Sequence, residues 1–133
     1  MIFKKVKEII SKDGVLHFRR WRILSTPWFK ICLHGIYKAD EDKHLHNHPW
    51  SFISIVLKGS YTERLPNSKL NPRFPMGLAY RKKDQYHKIE DLHSPAVYTL
   101  NLMWGFRETW GYDVNGKFID HETYRDMKRT NLV

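Results

Sequence analysis

The sequence predicts an all-β fold, an antiparallel sandwich or barrel. Short runs rich in β-branched and aromatic residues recur along the chain, and turn signals separate them at regular intervals. The first segment is the exception. Phe3, Val6, Ile9 and Ile10 recur at helical spacing, so residues 2–11 read as a short amphipathic N-terminal helix closed by Ser11-Lys12-Asp13-Gly14. Val15 to Leu24 and Trp28 to Tyr37 read as strands split by Ser25-Thr26-Pro27. Ser51 to Leu57 and Tyr61 to Leu65 flank Lys58-Gly59-Ser60, a hairpin signature. Pro66 to Gly77 reads as a long loop. Leu78 to Arg81, Gln85 to Ile89, Ala96 to Met103 and Gly105 to Val114 complete the strands, and Asn115-Gly116 is the strongest turn signal of the chain.

At 133 residues the chain is expected to be a single domain, 1–133, with one core. Hydrophobic residues at 41% exclude a disordered chain, and no apolar run approaches the roughly 20 residues of a membrane span. Cys32 is the only cysteine, which excludes an internal disulfide. With no secretory signal at Met1-Ile2-Phe3-Lys4-Lys5, the expected location is the cytoplasm. The net charge of +9 favours anionic partners: small anionic molecules or nucleic acid. The basic residues cluster at Arg19-Arg20-Trp21-Arg22, at Arg81-Lys82-Lys83 and from Arg125 to Arg129. No finger or helix-turn-helix pattern accompanies them, so a solvated basic face is the plainer reading.

The chemistry concentrates at His44-Leu45-His46-Asn47-His48, just before a strand. Alternate residues of an extended chain share a face, so two of these rings can converge on one metal ion. His44 follows the polar turn Ala39 to Lys43 and reads as a loop residue, although it would replace a neighbour if Pro49 introduced a bulge. His93 and His121 lie among polar residues and read as surface. His17 and His34 lie in early strands, where a hydrogen-bonded core or rim histidine is the ordinary outcome.

His46-x-His48, three residues, Phe52, six residues and Gly59 reproduce the spacing of the first cupin motif, and His87 lies on a later segment where the second motif supplies its histidine. The phrases HxHPWSFxSxVLKGSYTE at 46–63, DxYHKI at 84–89, YTL at 98–100 and RxxWGY at 107–112 followed by NGKF resemble a group of small single-domain cupins of bacteria and phages, often labelled cysteine-dioxygenase-like. The match runs from about residue 15 to 122. It implies a cupin jelly roll (double-stranded β-helix) with a pocket, and names no substrate. Two departures stand out. The acidic ligand usual in the first motif falls at Phe52, and the acidic residue common in the narrower group falls at Ser51. The second motif also departs, with Lys82 and Asp84 where Pro and Gly are usual and Asp91 where Asn is usual.

The resemblance thus implies an all-histidine set, His46, His48 and His87, for a divalent transition metal: Fe, Zn, Ni or Cu by ligand type. Around it, Arg107 is a candidate clamp for a carboxylate or phosphate. Tyr98 is a candidate phenol donor, and Glu63, on one strand face with Tyr61, a candidate general base. Trp110 reads as core packing. The expected function is a metal-dependent enzyme, dioxygenase-like or other, on a small anionic substrate. The alternatives are a non-catalytic cupin that binds a ligand or a phage or host partner, and a nucleic-acid binder stacking bases on Phe18, Trp21 and Trp28. A homodimer is expected.

Overall fold

The computed structural model describes residues 4–11 and 13–132. Its strands are β1 (Lys4–Ile10), β2 (Leu16–Ser25), β3 (Phe29–Ile36), β4 (Ser51–Lys58) and β5 (Tyr61–Leu65), followed by a 3-10 turn at Pro66–Ser68. Then come β6 (Lys69–Arg73), β7 (Leu78–Arg81), β8 (Lys88–Leu92), β9 (Val97–Trp104), β10 (Gly111–Val114), β11 (Lys117–Asp120) and one helix, α1 (His121–Arg129).

A six-stranded sheet, ordered β1-β2-β3-β9-β4-β7, faces a three-stranded one, β6-β5-β8, and β10-β11 form a third pair. Strand alternation decides what lies between the sheets. In β9, Val97, Thr99, Asn101 and Met103 are buried, while Tyr98, Leu100, Leu102 and Trp104 point the other way. Ile36, Val56, Tyr61 and Val97 pack together from both sheets, with Phe18, Ile89 and Leu92 against them. Cys32, Phe52 and Met103 form a second cluster with Trp50.

Gly59 turns the chain between β4 and β5 at φ +84°, and a Cβ there would collide with the Ala96 carbonyl oxygen and Ser94 Oγ. The two strands it joins do not pair as a hairpin. β4 pairs with β7 and β9, and β5 with β6 and β8, so Gly59 carries the chain from one sheet to the other. The Asn115-Gly116 hairpin forms as its residues dictate, both at positive φ between β10 and β11. Part of the expected loop from Pro66 is strand β6. Pro72 is tolerated there because β6 is the outer strand of its sheet.

The expected N-terminal helix is corrected by the structure. Residues 4–10 are strand β1, paired antiparallel with β2 (Phe3 lies outside the described residues). A helix this short is marginal by itself, and Val6, Ile9 and Ile10 remain exposed even in the strand. The open edge of β2 instead offers ladder hydrogen bonds to alternate residues of the segment. The helix stands at the other terminus: Asp120 caps α1 by accepting from the Thr123 amide, and Tyr124 is its one buried residue. Two apolar residues, Tyr124 and Met127, are too few to set a readable periodicity. No helix among the described residues is long and apolar enough to cross a membrane.

Candidate metal centre

Backbone pairing explains why the three histidines meet. His46 donates its amide to the His87 carbonyl and accepts from the His87 amide, both at 2.9 Å. Residues that exchange both hydrogen bonds across an antiparallel pair present their side chains on one face. His48 lies two residues further on, so it shares that face. The ring centroids of His46 and His87 are 5.1 Å apart, His46 and His48 5.1 Å, and His48 and His87 4.9 Å. Their ligating nitrogens all lie within 4.8 Å of one another.

His87 shows most clearly what the cluster is built for. Its Nδ1 lies 2.5 Å from Glu63 Oε2, and its Nε2 is buried with no hydrogen-bond partner. Glu63 is 1% exposed and ion-paired with Arg81, and its Oε1 accepts from Asn71 Nδ2 at 3.1 Å. Burial by itself would raise this carboxyl, but the bonds to His87 and Arg81 outweigh it and hold Glu63 down to about 2. An ionised carboxylate only accepts, so His87 donates to it from Nδ1, and Nε2 is the ring nitrogen left without a partner. That is the state of a ligand imidazole oriented by a carboxylate behind it. Burial, then the neighbouring His87, lowers His46 to about 4, and the same causes hold His48 well below its ordinary range. Two imidazoles kept unprotonated by burial, His46 and His48, and the orphaned buried nitrogen of His87 fit a divalent metal ion.

Phe52 stands where an acidic fourth ligand is expected, its ring 5.0 Å from His48 and 5.9 Å from His87. It walls the site without ligating. Trp110 and Tyr112 lie 6.2 and 5.9 Å from His46. Tyr112 stacks on Tyr124 of α1 at 3.7 Å, and Trp110 on His121 at 4.7 Å. The helix therefore backs the wall behind His46, a contribution that its polar sequence did not signal.

The other candidates divide. Glu63 reaches the centre, as the partner of His87 and Arg81. Arg107 donates to Asp84 at 2.6 Å and to the carbonyls of Lys83 and His48 at 2.9 and 3.3 Å, which fastens the ligand-bearing segment. It lines a cleft of about 360 Å³ with Asn47 and Tyr86, residues that alternate with the ligand histidines and so face away from them. Tyr98 lies on the outer face of β9, its hydroxyl 3.4 Å from that of Tyr37. His44 is bound through Nδ1 to Tyr124 Oη at 2.9 Å, outside the cluster. His93 bonds Thr62 at 2.6 Å, His17 approaches Glu41 at 3.6 Å, and His34 accepts from Arg20.

The fold is the cupin-type double-stranded β-helix, with an all-histidine cluster on its inner wall. Solved structures share the fold at low identity. A cupin-2 domain from Rhodospirillum rubrum matches with a TM-score of 0.64 at 10% identity, over 96% of this chain and 82% of that one. A conserved Klebsiella pneumoniae protein with a double-stranded β-helix domain gives 0.59 at 14%, over 72% and 84%. FeII HppE gives 0.63 at 11%, with 77% of this chain covering 56% of that protein. No family model matches the sequence, and no curated protein matches it.

Proposed function

We propose that the protein is a mononuclear metal-dependent enzyme that acts on a small anionic molecule. The observation that carries this reading is His87: Nδ1 tied to an ionised, buried Glu63, and Nε2 buried without a partner among two further imidazoles. Three neutral ligands leave a bound divalent ion Lewis acidic, with positions open to water, oxygen or substrate. The chain's own residues do the rest. Glu63 and Arg81 fix the orientation and tautomer of His87, while Phe52, Trp110 and Tyr112 limit access of water. The likeness in fold to FeII HppE is compatible with iron but does not choose the metal. Fe, Zn and Ni all suit the ligand set.

The test is turnover by protein reconstituted separately with Fe²⁺, Zn²⁺ and Ni²⁺. Each form is incubated with a panel of small carboxylates and phosphate esters, following oxygen uptake and substrate loss by NMR. The expected result is conversion with one metal, absent in His87→Ala. Stoichiometric metal without conversion of any panel member contradicts the enzymatic reading and leaves a metal-holding binding module.

A further inference from the structure

The outer face of the six-stranded sheet is as regular as the inner one, and the metal centre makes no use of it. Register lays its side chains out in rows. Leu102 of β9 stands between Ile31 of β3 and Ile53 of β4, and the row extends to Leu24 of β2 and Tyr80 of β7. Two residues along, Leu100 stands between Leu33 and Ile55, with Trp21 and Leu78 at the ends of the row. On the far side of the Leu102 row, Phe29 stands opposite Trp104, whose ring stacks on Tyr80 at 5.8 Å. Directly opposite residues of paired strands point to the same side of the sheet, so five strands present their apolar side chains in unbroken rows.

Among the described residues nothing covers this face. Leu24, Tyr80 and Leu102 are 44, 46 and 37% exposed, and Leu78 67%. Phe29, Leu102 and Trp104 line an open hollow of about 270 Å³ on it. No charged residue falls in these rows, and charge returns one row beyond Leu100, at Arg19 and Lys58. The smaller sheet shows what a water-facing side of this molecule looks like: there Arg64 pairs with Glu90 and Thr62 bonds His93. At ordinary strand and residue spacings the apolar rows measure roughly 24 by 20 Å, about 500 Å². Soluble monomers rarely expose a contiguous apolar patch above a few hundred Å².

We infer that this face pairs two copies of the chain, sheet on sheet, as an isologous dimer. Size and charge choose that occupant. An amphipathic helix is about 10 Å wide and would cover less than half of the rows. The complement of a twisted apolar sheet face is a second one, packed with strands about 30° apart, and a two-fold pair supplies it from the same residues. Two such faces remove about 1,000 Å² from water, the area at which a specific interface is sustained. A chain of net charge +9 repels its own copies wherever it is charged, and here two copies meet with no charge between them. The inference does not rest on the metal-centre reading. Phe52 points inward to His48 while its neighbour Ile53 points outward, so pairing leaves both histidine clusters as they are.

The experiment is sedimentation equilibrium of the full chain over a range of concentrations, with circular dichroism to check folding. The unsubstituted protein is expected to have twice the mass of one chain. Leu102→Glu, which puts two like charges into the middle of the interface, is expected to weaken the dimer by roughly 100-fold or more. Leu78→Glu, on the edge strand, is expected to weaken it by roughly 10-fold. Leu70→Glu makes the same change at an exposed leucine of β6 in the other sheet and is expected to leave the mass at that of the dimer. A single-chain mass for the unsubstituted protein at the highest attainable concentration overturns the inference. So does a dimer undiminished in both Leu102→Glu and Leu78→Glu, or one that Leu70→Glu breaks as readily. If Leu102→Glu does not fold, Leu78→Glu decides by the same measurement. A monomer that binds phosphatidylcholine–phosphatidylserine vesicles through this face, and loses them in Leu78→Glu, also overturns it, in favour of a lipid surface.

Discussion

The barrel interior is built differently at its two ends. Along β9, Val97 lies at one end, in a cluster with Ile36, Val56 and Tyr61, where Val56 and Val97 are both 0% exposed. Towards Met103 the lining changes to three histidines, a buried glutamate and its arginine. The first end is stabilised by removing apolar surface from water, at about 25 cal/mol per Å². The second takes an ionised carboxylate out of water, which costs several kcal/mol and breaks even only when every bond is made. A chain that needed only stability would have filled both ends with aliphatic side chains. Arg73, the buried charge at the first end, has all its bonds to Tyr61 and two carbonyls, whereas the second end keeps an unpartnered imidazole nitrogen, and the contrast can be broken or sharpened one residue at a time.

The largest effect is expected at the ligands. His46→Ala and His87→Ala should abolish stoichiometric metal retention by elemental analysis, while His44→Ala, whose ring bonds Tyr124, should retain it. Loss of metal in His44→Ala alone would show that the wrong pair has been assigned.

Next comes Glu63. Glu63→Ala leaves Arg81 buried without its partner and should cost roughly 3–5 kcal/mol in urea unfolding. Glu63→Gln keeps the shape but loses the charge-assisted bond to His87, so metal affinity should fall about 10–100-fold by competition with a chromogenic chelator. Equal metal affinity in Glu63→Gln would make the Glu63–His87 bond incidental.

At the apolar end, Val97→Ala should cost roughly 2 kcal/mol through lost burial and a small cavity, with metal affinity unchanged. A drop in metal affinity there would show that the two ends are coupled.

Acid separates them further. In metal-free protein His46 titrates near 4 against an ordinary 6.5, and His34 and His48 are also lowered, by burial first. A lowered imidazole gives stability that is complete above 6.5 and is lost as the pH falls from there towards the folded value. Glu63, near 2 against 4.5, acts in the same direction over the window from 4.5 down to 2. Stability should thus decline in two stages on acidification, and bound metal should move the acid unfolding midpoint lower. A midpoint that metal does not move argues against ligation by these rings.

Much of this contrast was legible in the sequence. β5 is bounded at Tyr61 and Leu65 as read, and the spacing from His46 to Gly59 singled out two of the three histidines that the fold brings together and placed Phe52 beside them. Spacing worked because the strand period is fixed. Other features depend on partners that local sequence does not name. β1 follows from the open edge of β2, and the separation of β4 from β5 follows from which strands each meets afterwards. Glu63 carried the right parity to reach the interior, but its role depends on His87 and Arg81 arriving from later in the chain.

The central claim is that one divalent ion is held by His46, His48 and His87 with Glu63 behind His87. Anomalous diffraction from metal-loaded crystals, recorded at the absorption edge of the ion, tests it most directly. The account predicts one strong peak per chain, among these three rings and on the Nε2 side of His87. A peak at His44, His93 or another surface histidine, or no peak among the three rings, would contradict it.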